Sequence, residues 1–204
     1  MSATRCAAMG GVVAWAMLAL VGCSSTPPTH FHTLVAPPAR GGNAARAVPA
    51  PRVRIEVLPV SVPVQVDLPQ MVVRLADDSV MVLEHERWIA PLGDEIRQAI
   101  ALRVGQVVAD VTPASAAGEG PWRIDVEVQR FDAMLHRAAG AQLQWSLQGP
   151  AGGATLRCQA SYEQPVGVGV EVLTAGYRAL FERLGDAIGA AVRAAATGGT
   201  PGCG

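Results

Sequence analysis

From Val53 onward the chain alternates apolar and polar positions. Val53, Ile55 and Val57 are apolar while Arg54 and Glu56 are charged, the period-two sign of a half-buried strand. Pro59 and Pro63 then interrupt ladder pairing. Residues 71–75 and 80–84 read as two more short strands, and the turn Asp77-Asp78-Ser79 between them predicts a hairpin. A helix follows. Pro91 suits its first position, and Asp94 and Glu95 complement its positive N-terminal end. Leu92, Ile96, Ala99, Ile100, Val104 and Val107 share one face of it. Residues 110–120, with Pro113 and Gly118, close the helix and form a loop.

Three clearer strands come next. Ile124, Val126 and Val128 oppose Arg123, Asp125, Glu127 and Gln129. Leu143, Trp145 and Leu147 oppose Gln144, Ser146 and Gln148; Leu156, Cys158, Ala160 and Tyr162 oppose Arg157, Gln159, Ser161 and Glu163. Gly140 and the Gly149-Pro150 turn separate them, giving a meander with one dry face and one wet face. A long helix over 171–196 places Leu173, Tyr177, Leu180, Leu184, Ile188 and Ala191 on one stripe. That stripe is expected to cover the dry face of the meander. The fold class is therefore α+β: a mostly antiparallel sheet covered by two helices, in the order βββαβββα.

The N-terminal part differs in kind. Arg5 precedes an apolar stretch over 7–21, and small residues follow, the layout of a secretory signal peptide. The stretch ends on Leu20-Val21-Gly22-Cys23, which resembles the bacterial lipobox. That resemblance makes Cys23 the first residue of the mature protein and the lipid attachment site. The alternatives are a plain signal peptide with an incidental cysteine and an uncleaved anchor helix, but the run is shorter than the roughly 20 residues a spanning helix needs. Two or more acyl chains on Cys23 hold a protein stably to a membrane. Ser24, where Asp favours retention at the inner membrane of many Gram-negative lipoproteins, points to the periplasmic face of the outer membrane.

Residues 1–22 are thus the signal peptide, 23–52 a lipidated tether rich in proline and glycine, and 53–204 the folded domain. The tether would reach roughly 90 Å as polyproline or ~30 Å as a flexible coil. Phe31-His32-Thr33-Leu34 is its exception, a stretch fit to add to a sheet edge.

Charge and cysteine count narrow the function. All 16 basic residues are arginines, and Arg5 leaves with the signal, so the mature chain carries 15 − 17 = −2. No basic stripe exists, which argues against nucleic acid. Of four cysteines, Cys6 departs with the signal and Cys23 is acylated. Cys158 and Cys203 remain as a candidate disulfide in an oxidising compartment, the other reading being two free thiols.

Catalytic chemistry is not visible. No Walker A loop, G-x-S-x-G elbow or H-E-x-x-H helix occurs. His30 and His32 would need a third ligand to hold a metal, and solvated histidines are the simpler reading. Glu84, His85 and Glu86 are adjacent on a strand, so they point to opposite faces and do not converge. Trp88 is read as core rather than as an exposed interface anchor, since it directly precedes a buried helix face. No cofactor is implied.

Residues 55–104 carry a further resemblance. Ile55-Glu56-Val57-Leu58-Pro59-Val60-Ser61-Val62-Pro63 leads to Asp67-Leu68-Pro69-Gln70-Met71-Val72-Val73-Arg74, then to Glu86-Arg87-Trp88-Ile89-Ala90-Pro91-Leu92 and the helix. This resembles the ABC-type transport auxiliary lipoproteins, the PqiC-like family. Leu68 stands where the family often has Arg, and Phe31-His32 replaces its usual aromatic pair. The resemblance implies a non-catalytic component of an MCE-type, ABC-linked system that moves lipid between the inner and outer membranes. Its partner would be an MCE-domain protein anchored in the inner membrane. Asp67, Pro69, Gln70 and Arg74 are the partner-binding candidates, because Pro59, Pro63 and Pro69 leave extended backbone open to another chain, or to another copy of this one. A lipid-anchored periplasmic hydrolase is the alternative from another class.

Overall fold

The computed structural model describes residues 27–35, 53–113, 120–150, 152 and 155–204. The signal peptide, Cys23, Ser24 and most of the tether lie outside the described residues. The elements are β1 (His30–His32), β2 (Ile55–Val57), β3 (Gln70–Arg74), β4 (Val80–Trp88), α1 (Leu92–Val108), β5 (Trp122–Met134), β6 (Ala138–Gln148), β7 (Leu156–Pro165) and α2 (Val170–Ala196).

One seven-stranded sheet runs β1-β4-β3-β5-β6-β7, with β2 also paired to β5. The expected βββαβββα order is present, with β1 added ahead of it. The hairpin β3–β4 and the meander β5–β6–β7 are antiparallel. Parallel pairs join them: β1 on β4, β2 on the first part of β5, and Arg74 of β3 beside Met134 at the end of β5. Ser61 bridges to Glu127 between these last two contacts. A long central strand is therefore flanked on one side by three short pieces in succession. Pro59, Pro63 and Pro69 sit where those pieces break, as residues lacking an N–H must.

The sheet's dry face carries Ile124, Val126, Val128, Leu143, Trp145 and Leu147, all buried. Leu173, Tyr177, Leu180, Leu184 and Ile188 of α2 are fully buried in the same core. Trp88 belongs to it too, lying edge-on to Phe131 and Tyr177 at 6.4 Å each. Phe131 stacks on Tyr177 at 4.2 Å. The two helices approach closely because α2 presents glycine where they meet. A Cβ on Gly189 would come within 2.6 Å of Val107 Cγ1, and one on Gly185 within 2.7 Å of Arg103. Arg103 Nε and Nη2 then donate to Asp186 at 2.7 and 3.0 Å across the helix pair.

Three boundaries differ from the sequence reading. β5 runs to Met134 and β6 begins at Ala138, so Gly140 lies within a strand opposite Asp132 and not in the turn. β4 runs four residues beyond 84, to Trp88, because Gln70 pairs with Arg87 on one side and β1 pairs with Glu86, Arg87 and Trp88 on the other. Within the span read as tether, His30–His32 is a strand of the sheet and Leu34 is buried in the core.

Candidate functional site

The four partner-binding candidates do not form one site. Asp67, Pro69 and Gln70 cluster at the start of β3, and Arg74 ends it, about 13 Å further along at ~3.3 Å per residue. Around the first end lies a hollow of about 370 Å³ lined by Asp67, Leu68, Pro69, Trp88, Ile89 and Pro91. The Trp88 N–H donates to the Pro69 carbonyl at 2.9 Å and fixes its floor. Around the other end lies a groove of about 290 Å³ whose walls include Val66, Val72, Val80 and Phe131. Arg74 Nη2 stands 3.6 Å from Asp132 Oδ1 in this groove, and Arg130 pairs with the other oxygen of the same carboxylate. Two cations thus share one anion, and Arg74 Nη1 also donates to the Asp78 carbonyl at 3.2 Å.

Between the two ends runs the outer edge of β4. Its inner neighbour β3 pairs with Val80, Met81, Val82 and Leu83, while among the described residues the outer edge is covered by β1 only at Glu86, Arg87 and Trp88. Val80, Met81 and Val82 are 59%, 39% and 38% exposed. Three consecutive exposed apolar residues on an open strand edge are a template for another strand.

Sequence reasoning missed the clamp at the opposite end of β4. His30 Nδ1 lies 2.9 Å from Glu86 Oε1, and His32 Nε2 lies 2.5 Å from Oε2. The signal was available: a His-x-His spacing puts both rings on one face of a strand. The hydrogen bond and charge of Glu86 raise the pKa of His30. Burial pushes the Glu86 carboxyl up, but the hydrogen bonds from His32 and His30 outweigh it and hold it below its usual value. One residue on, Glu95 Oε2 accepts hydrogen bonds from Thr33 Oγ1 and from the Leu34 N–H, both at 2.7 Å. Arg178 Nε donates to the Thr33 carbonyl at 3.0 Å. Glu84 and His85 are exposed and take no part. No group of three or more His, Cys, Asp or Glu side chains that could hold a metal occurs among the described residues.

At the other side of the molecule Cys158 and Cys203 are disulfide-bonded, with Cα atoms 5.5 Å apart. The bond fastens the segment after α2 to β7. No described helix is long and apolar enough to cross a membrane.

Solved structures share this fold. A crystal structure of an uncharacterized protein superposes with a TM-score of 0.62 at 14% identity, covering 80% of this chain and 97% of that one. A Xanthomonas campestris protein gives 0.55 at 17% identity, covering 71% and 88%. No curated protein matches at a significant level. The family described as the ABC-type transport auxiliary lipoprotein component matches residues 32–189, from the last residue of β1 to the glycine of α2 that meets Val107. Its span therefore includes β1's buried end and all of β2 to β7, and the chain belongs to that family of auxiliary lipoproteins of ABC-type transport.

Proposed function

We propose that this chain is a non-catalytic lipoprotein, acylated at Cys23 and held on the periplasmic face of the outer membrane. It serves an MCE-type, ABC-linked lipid transport system by docking an MCE-domain protein that reaches across from the inner membrane. The single observation that carries the docking is the open edge of β4. Val80, Met81 and Val82 expose apolar side chains on an edge that no other described strand pairs, and main-chain pairing plus alternate side-chain pockets is how strand addition gains affinity and specificity. The Arg74–Asp132–Arg130 groove adjoins that edge and adds net positive charge for the partner's acidic groups.

Two variants test the two halves of this reading. Cys23→Ser should move the protein from the outer-membrane fraction to the soluble periplasm; a variant that stays behind removes the acyl anchor from the account. Val80→Asp with Val82→Asp changes exposed positions only, so the domain should fold as before and lose at least ten-fold in co-purification of the MCE protein. Undiminished capture would place the docking surface elsewhere.

A further inference from the structure

The position of β1 sets the geometry of the whole molecule against its membrane. Only six residues separate Cys23 from His30, and His30 is already part of the sheet. Fully extended, that leash spans at most about 25 Å, far less than a tether running to residue 52 would allow. The clamp on β1 prevents the leash from lengthening: Glu86 holds His30 and His32, and buried Glu95 holds Thr33 and Leu34. The domain is therefore tied short, by one particular corner.

That corner is apolar on its outside. Phe31 alternates with the clamped histidines, so it points to the opposite face, and it is 63% exposed. Ile89, whose N–H donates to the His32 carbonyl at 2.9 Å, is 65% exposed. Leu68, 39% exposed, lines the hollow together with Ile89. Arg87 is the register partner of Phe31, and its Nε has no hydrogen-bond partner among the described residues. Asp67 lies at the same hollow. With one charge of each sign present, burial of apolar surface, not charge, dominates any binding here.

We infer that the face bearing Phe31, Leu68 and Ile89 seats in the lipid surface to which Cys23 is tied. This rests on acylation at Cys23, and the short leash is the reason the occupant is lipid. Phe31 is the eighth residue after Cys23, so its face cannot part from the acyl chains by more than about 28 Å. Large apolar side chains with an adjacent arginine suit the boundary between headgroups and chains.

The test uses the mature chain acylated at Cys23, reconstituted into vesicles of phosphatidylethanolamine and phosphatidylglycerol with brominated acyl chains. A polarity-sensitive dye is placed at Leu68→Cys, or at Leu102→Cys on α1 as a control, with Phe31 and Ile89 intact. Brominated lipid should quench the dye at 68 several-fold more than at 102. Adding Phe31→Asp and Ile89→Asp should bring the two positions level while the protein still floats with the vesicles. Equal quenching in the unsubstituted protein that floats would overturn the seating and leave the anchor intact. Failure of the acylated chain to float would remove the anchor and the seating together. Burial of the dye that rises with protein concentration in the absence of lipid would assign the face to a second copy and overturn the inference.

Discussion

The carboxylate of Glu95 accepts a hydrogen bond from the backbone N–H of Leu34 at 2.7 Å, across 61 residues of chain. Glu95 lies in the first turn of α1, where the helix favours negative charge, and it is only 2% exposed. The same oxygen also accepts from Thr33 Oγ1. One buried acid therefore helps hold the first strand on the sheet, beside Glu86 and the pairing with β4.

Removing that acid should release β1 selectively. Glu95→Ala leaves the buried Leu34 N–H without an acceptor and removes the acceptor of the Thr33 hydroxyl proton, a cost of about 1–3 kcal/mol. Hydrogen exchange at Leu34 should speed up roughly ten-fold or more, while amides in β5 and β6 keep their protection. Uniform loss of protection across the sheet would show that β1 and the core open as one unit.

The histidine clamp predicts a pH dependence of definite sign. The pKa of His30 is raised above 6.5 by the hydrogen bond and charge of Glu86. Its contribution is fully present below 6.5, the unfolded value, and is lost as pH climbs through the raised folded value. The pKa of Glu86 is lowered from 4.5, so its contribution is present above 4.5 and is lost as pH falls through the lowered folded value. Docking of β1 should be firmest between these two unfolded values. The Ile89 amide, bonded to the His32 carbonyl, reports it. Its protection, corrected for intrinsic exchange, should be greater at pH 6 than at pH 8, and Glu86→Gln should flatten the difference. Equal protection at both pH values in the unsubstituted protein would contradict the clamp.

Much of this architecture is legible in the chain because each late element carries its own pattern. β5, β6 and β7 alternate cleanly, and α2 shows a continuous stripe, so no distant partner is needed to identify them. Trp88 is legible as core for the same local reason. The clamp is not, since Glu86 and Glu95 meet partners 54 to 62 residues away and carry no local sign of them. The end of β4 was hidden likewise, because β1 completes it from outside the hairpin. The scatter of Asp67, Pro69, Gln70 and Arg74 follows from strand length: neighbours in sequence become opposite ends once the chain extends. Cys158 and Cys203 were legible only as a candidate pair, since their number allows a bond and does not require one.

The disulfide closes a loop of 45 residues, for which chain entropy gives about 4 kcal/mol before strain is subtracted. Cys203→Ser should therefore lower Tm by up to about 16 °C. A reductant should cause the same drop in the unsubstituted protein and none in the variant. A reductant-insensitive Tm would mean the bond adds nothing to stability.

The proposed docking lies at the edge of β4, and crosslinking in intact cells reads that contact directly. A photo-activated residue at Met81 should give an adduct with the MCE-domain protein, and the same residue at Glu182, exposed on α2, should give none. An adduct at 182 with none at 81 would contradict docking through the open strand.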